Sequence, residues 1–158
     1  MIPVKIREIQ NRDAKQVAEM LQKEFGDDYK PFHFTESWLL EKIAYPNDLF
    51  LVVEKNNKKK GENIIGVIRA CLVDIDLAEL RNIVVHEEYR GNNIAERLIK
   101  QMLALLKKKG MRKVIVRTKA ENKPALSLFR KLGFKKEGYF LEHFRRGVDI
   151  VQMYKFLE

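Results

Sequence analysis

The segment Ala78-Glu-Leu-Arg-Asn-Ile-Val-Val-His-Glu-Glu-Tyr-Arg-Gly-Asn-Asn-Ile-Ala-Glu-Arg-Leu-Ile99 constrains the fold more than any other stretch of this chain. It reads as a strand over residues 80–85, a short polar loop carrying Arg90 and Gly91, and a helix opening near Ile94. A strand that enters a helix through a tight loop aims several unpaired backbone N–H groups outward, together with the positive end of the helix dipole. That corner suits a phosphate or pyrophosphate. Taken alone, the same segment also reads as an ordinary surface turn.

Flanking this segment, residues 4–9 alternate apolar and polar as a half-buried strand should. Asn11 or Asp13 caps a helix through Ala14, Val17, Ala18, Leu21 and Phe25, with Gly26 as its stop. Residues 27–35 form an irregular aromatic loop and residues 36–44 a second helix. Residues 49–54 and 64–74 read as strands joined by a lysine- and asparagine-rich hairpin turn over 55–63. The helix from Ile94 sets Ile94, Leu98, Met102 and Leu105 on one face and ends at Gly110 behind three lysines. Residues 113–118 form a β-branched strand. Pro124 opens a helix that Gly133 ends. Residues 134–137, 139–144 and 148–156 complete the chain as strands, with a turn at Arg145-Arg146-Gly147. The order is β-α-α-β-β-β-α-β-α-β-β, an α/β fold with a mixed sheet flanked by helices. Over 158 residues, with no linker or repeat, a single domain spanning 1–158 is expected.

Composition narrows the partners. Thirty-one Lys+Arg against 22 Asp+Glu give a formal charge of +9, which favours anionic ligands. No arginine-rich arm, aromatic RNA-binding signature or zinc spacing accompanies that charge, so nucleic acid is not an expected partner. His33, His86 and His143 are scattered, and no metal site is expected. No apolar run approaches membrane-spanning length and the first residues lack a signal peptide's apolar stretch, so no membrane and a cytoplasmic location are expected. The single Cys71 sits in an apolar run and reads as core.

Two blocks carry a resemblance. Val85-His-Glu-Glu-Tyr-Arg-Gly-Asn-Asn-Ile-Ala95 resembles the acetyl-CoA loop Arg/Gln-x-x-Gly-x-Gly/Ala of the GCN5-related N-acetyltransferases (GNAT). Asn122-Lys-Pro-Ala-Leu-Ser-Leu-Phe-Arg-Lys-Leu-Gly-Phe134 resembles that family's second block, Asn-x-x-Ala-x-x-Leu-Tyr-x-x-x-Gly-Phe. The resemblance covers essentially the whole chain and implies a GNAT-like splayed sheet. It departs at two places. Asn93 stands for a loop glycine, and Asn is the non-glycine residue best able to adopt positive φ. Phe129 stands for the tyrosine that often reprotonates the departing thiolate, and a phenyl ring donates no proton.

By resemblance the co-substrate is acetyl-CoA, with no metal. Ile83, Val84 and Val85 are then expected to offer main-chain hydrogen bonds to the pantetheine, as an added strand would. Backbone amides of Arg90, Gly91, Asn92, Asn93, Ile94 and Ala95 are expected to cradle the pyrophosphate, with the Arg90 guanidinium adding a charge-assisted contact. Asn122 matches the family asparagine that contacts the cofactor, and also reads as a helix cap. Phe129 lies in the same pattern. A backbone N–H near Val85 is the family's usual donor to the thioester carbonyl.

Acetylating an amine requires removal of its proton, since an ammonium near pKa 10.4 has no lone pair. A carboxylate acting directly or through water can take it. Glu79 matches by loop spacing the base of the family's histone acetyltransferases, with Asp74 and Asp76 as weaker candidates. Tyr139 is the nearest alternative phenol to act as acid. The acceptor site is expected to involve Tyr29, Phe32, His33, Phe34 and Trp38, plus the late hairpin at 142–146. The expected activity is transfer of acetyl to a primary amine in a ternary complex. A peptide or protein N-terminus or lysine is slightly favoured over a small amine, because a basic surface repels polyamines. The alternative is a non-catalytic CoA-binding or regulatory module. Dimers are common in the resembled family, so a homodimer is compatible with the sequence.

Overall fold

A computed structural model describes residues 3–56 and 63–158. The body of the lysine-rich turn expected at 55–63 lies outside the described residues. Among the described residues seven strands are hydrogen-bonded in the order β1-β2-β3-β4-β5-β7-β6, and four helices accompany them. Internal contacts divide the chain into two compact units. One comprises residues up to Ala70 together with Asn82–Met102, the other Cys71–Arg81 with Leu103–Glu158.

In the first unit β1 (Val4–Glu8) pairs antiparallel with β2 (Asp48–Lys55) from Val4↔Lys55 to Glu8↔Leu51. A 3-10 turn at Asn11–Asp13 precedes α1 (Ala14–Phe25), and the Asp13 carboxylate accepts from the Gln10 N–H at 2.8 Å. Ala14, Val17, Ala18 and Leu21 form the buried stripe of α1, at the i, i+3, i+4, i+7 spacing that faces one side of a helix. Gly26 does end α1, though with φ −55 rather than a left-handed cap; a Cβ there would run into the Gln22 side chain. Thr35 caps α2 (Glu36–Ala44) by accepting from Trp38 N–H at 3.1 Å. These helices bury Phe34 and Leu39 with Phe50, Val52, Val67 and Val84.

β3 (Ile64–Leu72) ends two residues earlier than expected and β4 (Leu77–Val85) begins three earlier. The cause is a tight turn in which Val73 and Asp74 both donate from N–H to the Leu77 carbonyl. α3 (Ile94–Lys108) carries a buried stripe of Ile94, Leu98, Met102 and Leu106. Leu106 thus replaces the expected Leu105, which is half-buried, because the stripe advances four residues at each step.

The second unit is built on β5 (Lys113–Lys119). It runs parallel to the start of β4, from Leu77↔Lys113 to Leu80↔Val116, and antiparallel to β7 (Val148–Phe156). α4 (Lys123–Lys131) has proline in its first turn and buries Leu126 and Phe129. The strands expected at 134–137 and 139–144 are one strand, β6 (Lys135–Arg145), with register shifts against β7 at Lys136/Gly138 and Phe140/Arg145. Glu142, at φ 42, lies within the second shift and absorbs the extra residues as a bulge does. Among the described residues no helix is long and apolar enough to cross a membrane.

Candidate active site

The loop between β4 and α3 has the shape its sequence implies. Gly91 stands at φ 83 and Asn93 at φ 59, so the residue in place of the family's glycine keeps the left-handed backbone. The first bond of α3 runs from Arg97 N–H to the Asn93 carbonyl at 3.1 Å. The N–H groups of Asn93, Ile94 and Ala95 precede it and have no intrahelical acceptor. Nothing lies within 4 Å of where a Cβ on Gly91 would sit, so the space beside that residue is open. Asn92 donates from Nδ2 to the Tyr89 carbonyl at 3.0 Å, and Tyr89 Oη accepts from Lys55 Nζ at 2.7 Å. The open amides, alternating backbone hands and helix dipole fit a pyrophosphate.

Arg90 is exposed, yet its guanidinium is tied to the protein at two places. Its Nε donates to the Val85 carbonyl at 3.0 Å and its Nη2 reaches Glu24 at 3.3 Å. Ile83, Val84 and Val85 lie beyond the last β4–β5 register pair, Leu80↔Val116. Between that pair and Ile83 stands Asn82 at φ 45, whose side-chain oxygen accepts from Arg69 Nη1 at 3.4 Å. Arg69 is itself buried, paired with Asp48 at 2.7 Å and set over the Trp38 ring.

In the second unit Glu79 is 5% exposed. Its Oε1 accepts from Arg81 Nε at 2.7 Å and faces Arg81 Nη2 at 2.6 Å. Its Oε2 accepts no hydrogen bond from the described residues and lies 3.7 Å from Arg117 Nε. No buried side-chain oxygen or nitrogen among the described residues lacks a partner, so Oε2 reaches solvent. A carboxylate fixed through one oxygen and open at the other can accept a proton. Sequence reading missed both arginines. Arg81 was accessible in principle, since residues two apart on a strand share a face, whereas Arg117 is brought in by the parallel register of β4 and β5.

The other expected residues fall as follows. Asn122 caps α4 by accepting from Ala125 N–H at 3.2 Å. Phe129 is buried and packs edge-on against Phe134, ring centroids 5.3 Å apart. Tyr139 donates to Asp149 Oδ2 at 2.8 Å, and this bond raises its pKa above the ordinary phenol value. Asp76 pairs with Arg112, and Asp74 accepts from Ile75 N–H. In the aromatic loop Phe34 is core rather than pocket wall, because Phe25, Tyr29, Phe32 and Trp38 all pack around its ring. His86 accepts from Glu88 N–H and His143 packs between Phe140 and Phe144. No group of three or more metal-ligating side chains gathers among the described residues.

Comparison with known proteins accords with this geometry. Residues 14–134 match the model of the Acetyltransferase (GNAT) family. N-alpha-acetyltransferase 30 of Schizosaccharomyces pombe is 24% identical over 141 residues, 85% of this chain and 86% of that protein. A putative [ribosomal protein bS18]-alanine N-acetyltransferase of Bacillus subtilis is 29% identical over 103 residues, 65% of this chain and 64% of that one. The fold matches Arabidopsis thaliana NAA60 in complex with acetyl-CoA at TM-score 0.79 and 17% identity, covering 98% of this chain and 99% of that one. It matches spermidine N-acetyltransferase from Vibrio cholerae, in complex with CoA and spermine, at TM-score 0.80 and 24% identity, covering 97% and 95%. The chain therefore belongs to the GNAT family and is an acetyl-CoA-dependent N-acetyltransferase.

Proposed function

We propose that the acceptor is the primary amine of a peptide or protein, an N-terminus before a lysine, and that Glu79 removes its proton. The observation that carries this reading is the charge around Glu79: two guanidiniums, Arg81 and Arg117, accompany one carboxylate. A polycationic amine meets net repulsion there, while a peptide end carries a single positive charge. Relatives named as N-alpha-acetyltransferase and ribosomal-protein alanine N-acetyltransferase support the same acceptor class.

The free N–H groups of Gly91, Asn92, Asn93, Ile94 and Ala95 would hold the pyrophosphate of acetyl-CoA, braced by Arg90. The main chain of Ile83, Val84 and Val85 would hold the pantetheine. When bound, acetyl-CoA supplies an activated acetyl group for an uncharged amine to attack. Arg81 holds the Glu79 carboxylate in place, and Oε2 takes the amine proton directly or through one water. An α-amino group, with a pKa near 8, asks less of that base than a lysine near 10.4.

The test is thiol release from acetyl-CoA with a panel of free-N-terminus peptides, N-terminally blocked lysine peptides, spermidine and amino sugars. Highest kcat/KM on free-N-terminus peptides is the expected result. Faster turnover of spermidine or an amino sugar than of any peptide would overturn the reading.

A further inference from the structure

The face of the second unit's sheet that carries Glu79 is cationic in a regular way. Along β5, Lys113, Arg117 and Lys119, with the buried Ile115 among them, alternate with the buried Val114, Val116 and Thr118. Glu79 is the register partner of Ile115 on β4, and Gln152 is the partner of Arg117 on β7. Side chains of paired residues project from the same side of a sheet, so Glu79, Arg81, Ile115, Arg117 and Gln152 share one face. Of the cations there, Lys113 is neutralised by Glu137 at 2.8 Å and Arg81 by Glu79. Arg117 is different. Its Nε donates to Gln152 Oε1 at 3.0 Å, its guanidinium lies 6.0 Å from the centre of the Phe144 ring, and neither Nη hydrogen-bonds to any of the described residues. Gln152 is in turn fixed by donating to Glu137 at 2.9 Å. Arg117 is thus an oriented guanidinium with its forked end open, beside the one oxygen of Glu79 that is also open.

We infer that Arg117 is a specificity-determining residue that selects acceptor peptides with an acidic side chain immediately after the reacting amine. The inference rests on the proposed peptide acceptor with Glu79 as base. An amine delivering its proton to Glu79 Oε2 stands next to Arg117, whose Nε is 3.7 Å from that oxygen. Consecutive Cα atoms are about 3.8 Å apart, so the second residue's side chain falls within reach of the open Nη groups. Guanidinium and carboxylate match as a two-pronged, charge-assisted pair, which a neutral side chain cannot form and a lysine would oppose. Phe144, more than half exposed, supplies an apolar wall against which the guanidinium and the methylene groups of an acidic side chain can lie.

The experiment measures kcat/KM for three peptides of one length and one first residue, with Glu, Gln or Lys second, in the wild type, Arg117→Met and Arg117→Lys. In the wild type the order Glu, Gln, Lys is expected, with Glu over Lys by at least about tenfold and the gap narrowing as salt screens the pair. Arg117→Met brings the Glu-to-Gln ratio close to one, and Arg117→Lys keeps Glu ahead. Ratios are compared because a general loss of fold or turnover cancels in them. Should Arg117→Met unfold, Arg117→Gln, which retains a donor for Gln152, gives the same ratio test. A wild type indifferent to the second residue, or a Glu preference unchanged in Arg117→Met, overturns the inference while leaving the peptide acceptor intact. Turnover of small amines with no peptide acetylated overturns both.

Discussion

Arg90 donates from Nε to the main-chain oxygen of Val85 at 3.0 Å, closing the β4–α3 loop back onto the strand that leads into it. The same guanidinium reaches Glu24 on α1, so it braces the loop between two elements. Arg90→Ala should weaken acetyl-CoA binding by about 1–3 kcal/mol, because the amides it positions lose their fixed geometry. Arg90→Lys should not restore affinity, since one ammonium cannot reproduce a planar fork bonded at two places. Calorimetric titration with acetyl-CoA measures both, and full recovery by lysine would mean that charge alone matters.

Asn93 at φ 59 makes a separate prediction. Asn93→Gly should preserve or slightly improve cofactor affinity, because glycine enters the left-handed region without a Cβ. Asn93→Val should cost about 1–2 kcal/mol of loop stability and weaken binding, since a β-branched residue is strained there. Equal affinity in the two variants would show that the loop does not need this backbone geometry.

Arg7 joins β1 to Asp13 and to Glu54 on β2, at 2.7 and 2.8 Å. Burial alone would push Asp13 up, but hydrogen bonds from Arg7 and the Gln10 N–H outweigh it and hold the carboxyl below its usual range. The Arg7 bond holds Glu54 low as well. Carboxylates depressed in the folded state stabilise it fully above their unfolded values, near 3.9 and 4.3. That stabilisation disappears as pH falls through the folded values. Asp13→Asn should therefore cost about 3 kcal/mol at neutral pH, the usual penalty for stranding a buried partner. The difference from wild type should shrink below about pH 4. Urea unfolding at pH 7, 5 and 3 would reveal this, and a pH-independent difference would contradict it.

Tyr139 donates a hydrogen bond to Asp149, which also accepts from the Glu142 N–H and so fastens β6 to β7. With its pKa raised by that bond, the phenol holds its proton more tightly than a free tyrosine does. Tyr139→Phe should retain kcat within about threefold, below the range general acid–base groups contribute, while changing the hairpin's hydrogen-exchange protection. A hundredfold fall in kcat with the hairpin intact would instead assign Tyr139 to proton transfer.

These residues also show how far the sequence could be read. The Thr35 cap that starts α2 did not enter the sequence reading, whereas the left-handed Asn93 followed from local chemistry, the tolerance of asparagine for positive φ. The bulge at Glu142 did not, because nothing in glutamate's own preferences places it at φ 42; the Asp149 and Gly147 contacts impose it. Glu79 was visible by its spacing from the loop. Its setting was not, because Arg117 is thirty-eight positions away and reaches it only through the register of two parallel strands. Arg90 was legible as a loop cation, but its bond to Val85 depends on how tightly the loop folds back.

The same pair of arginines sharpens what removing the proposed base should do. Glu79→Gln keeps an oxygen to accept from Arg81, so the strand and the cofactor loop beyond it should be preserved and acetyl-CoA affinity nearly unchanged. Gln cannot take a proton, and the variant should lose about 10²–10⁴ in kcat/KM at low pH, the usual contribution of a positioned base. As pH rises toward the amine's own pKa, more acceptor arrives uncharged and the loss should shrink. A pH–rate profile parallel to wild type, with the deficit constant from pH 6 to 9, would remove Glu79 from proton transfer and leave it a partner that orients Arg81 and Arg117.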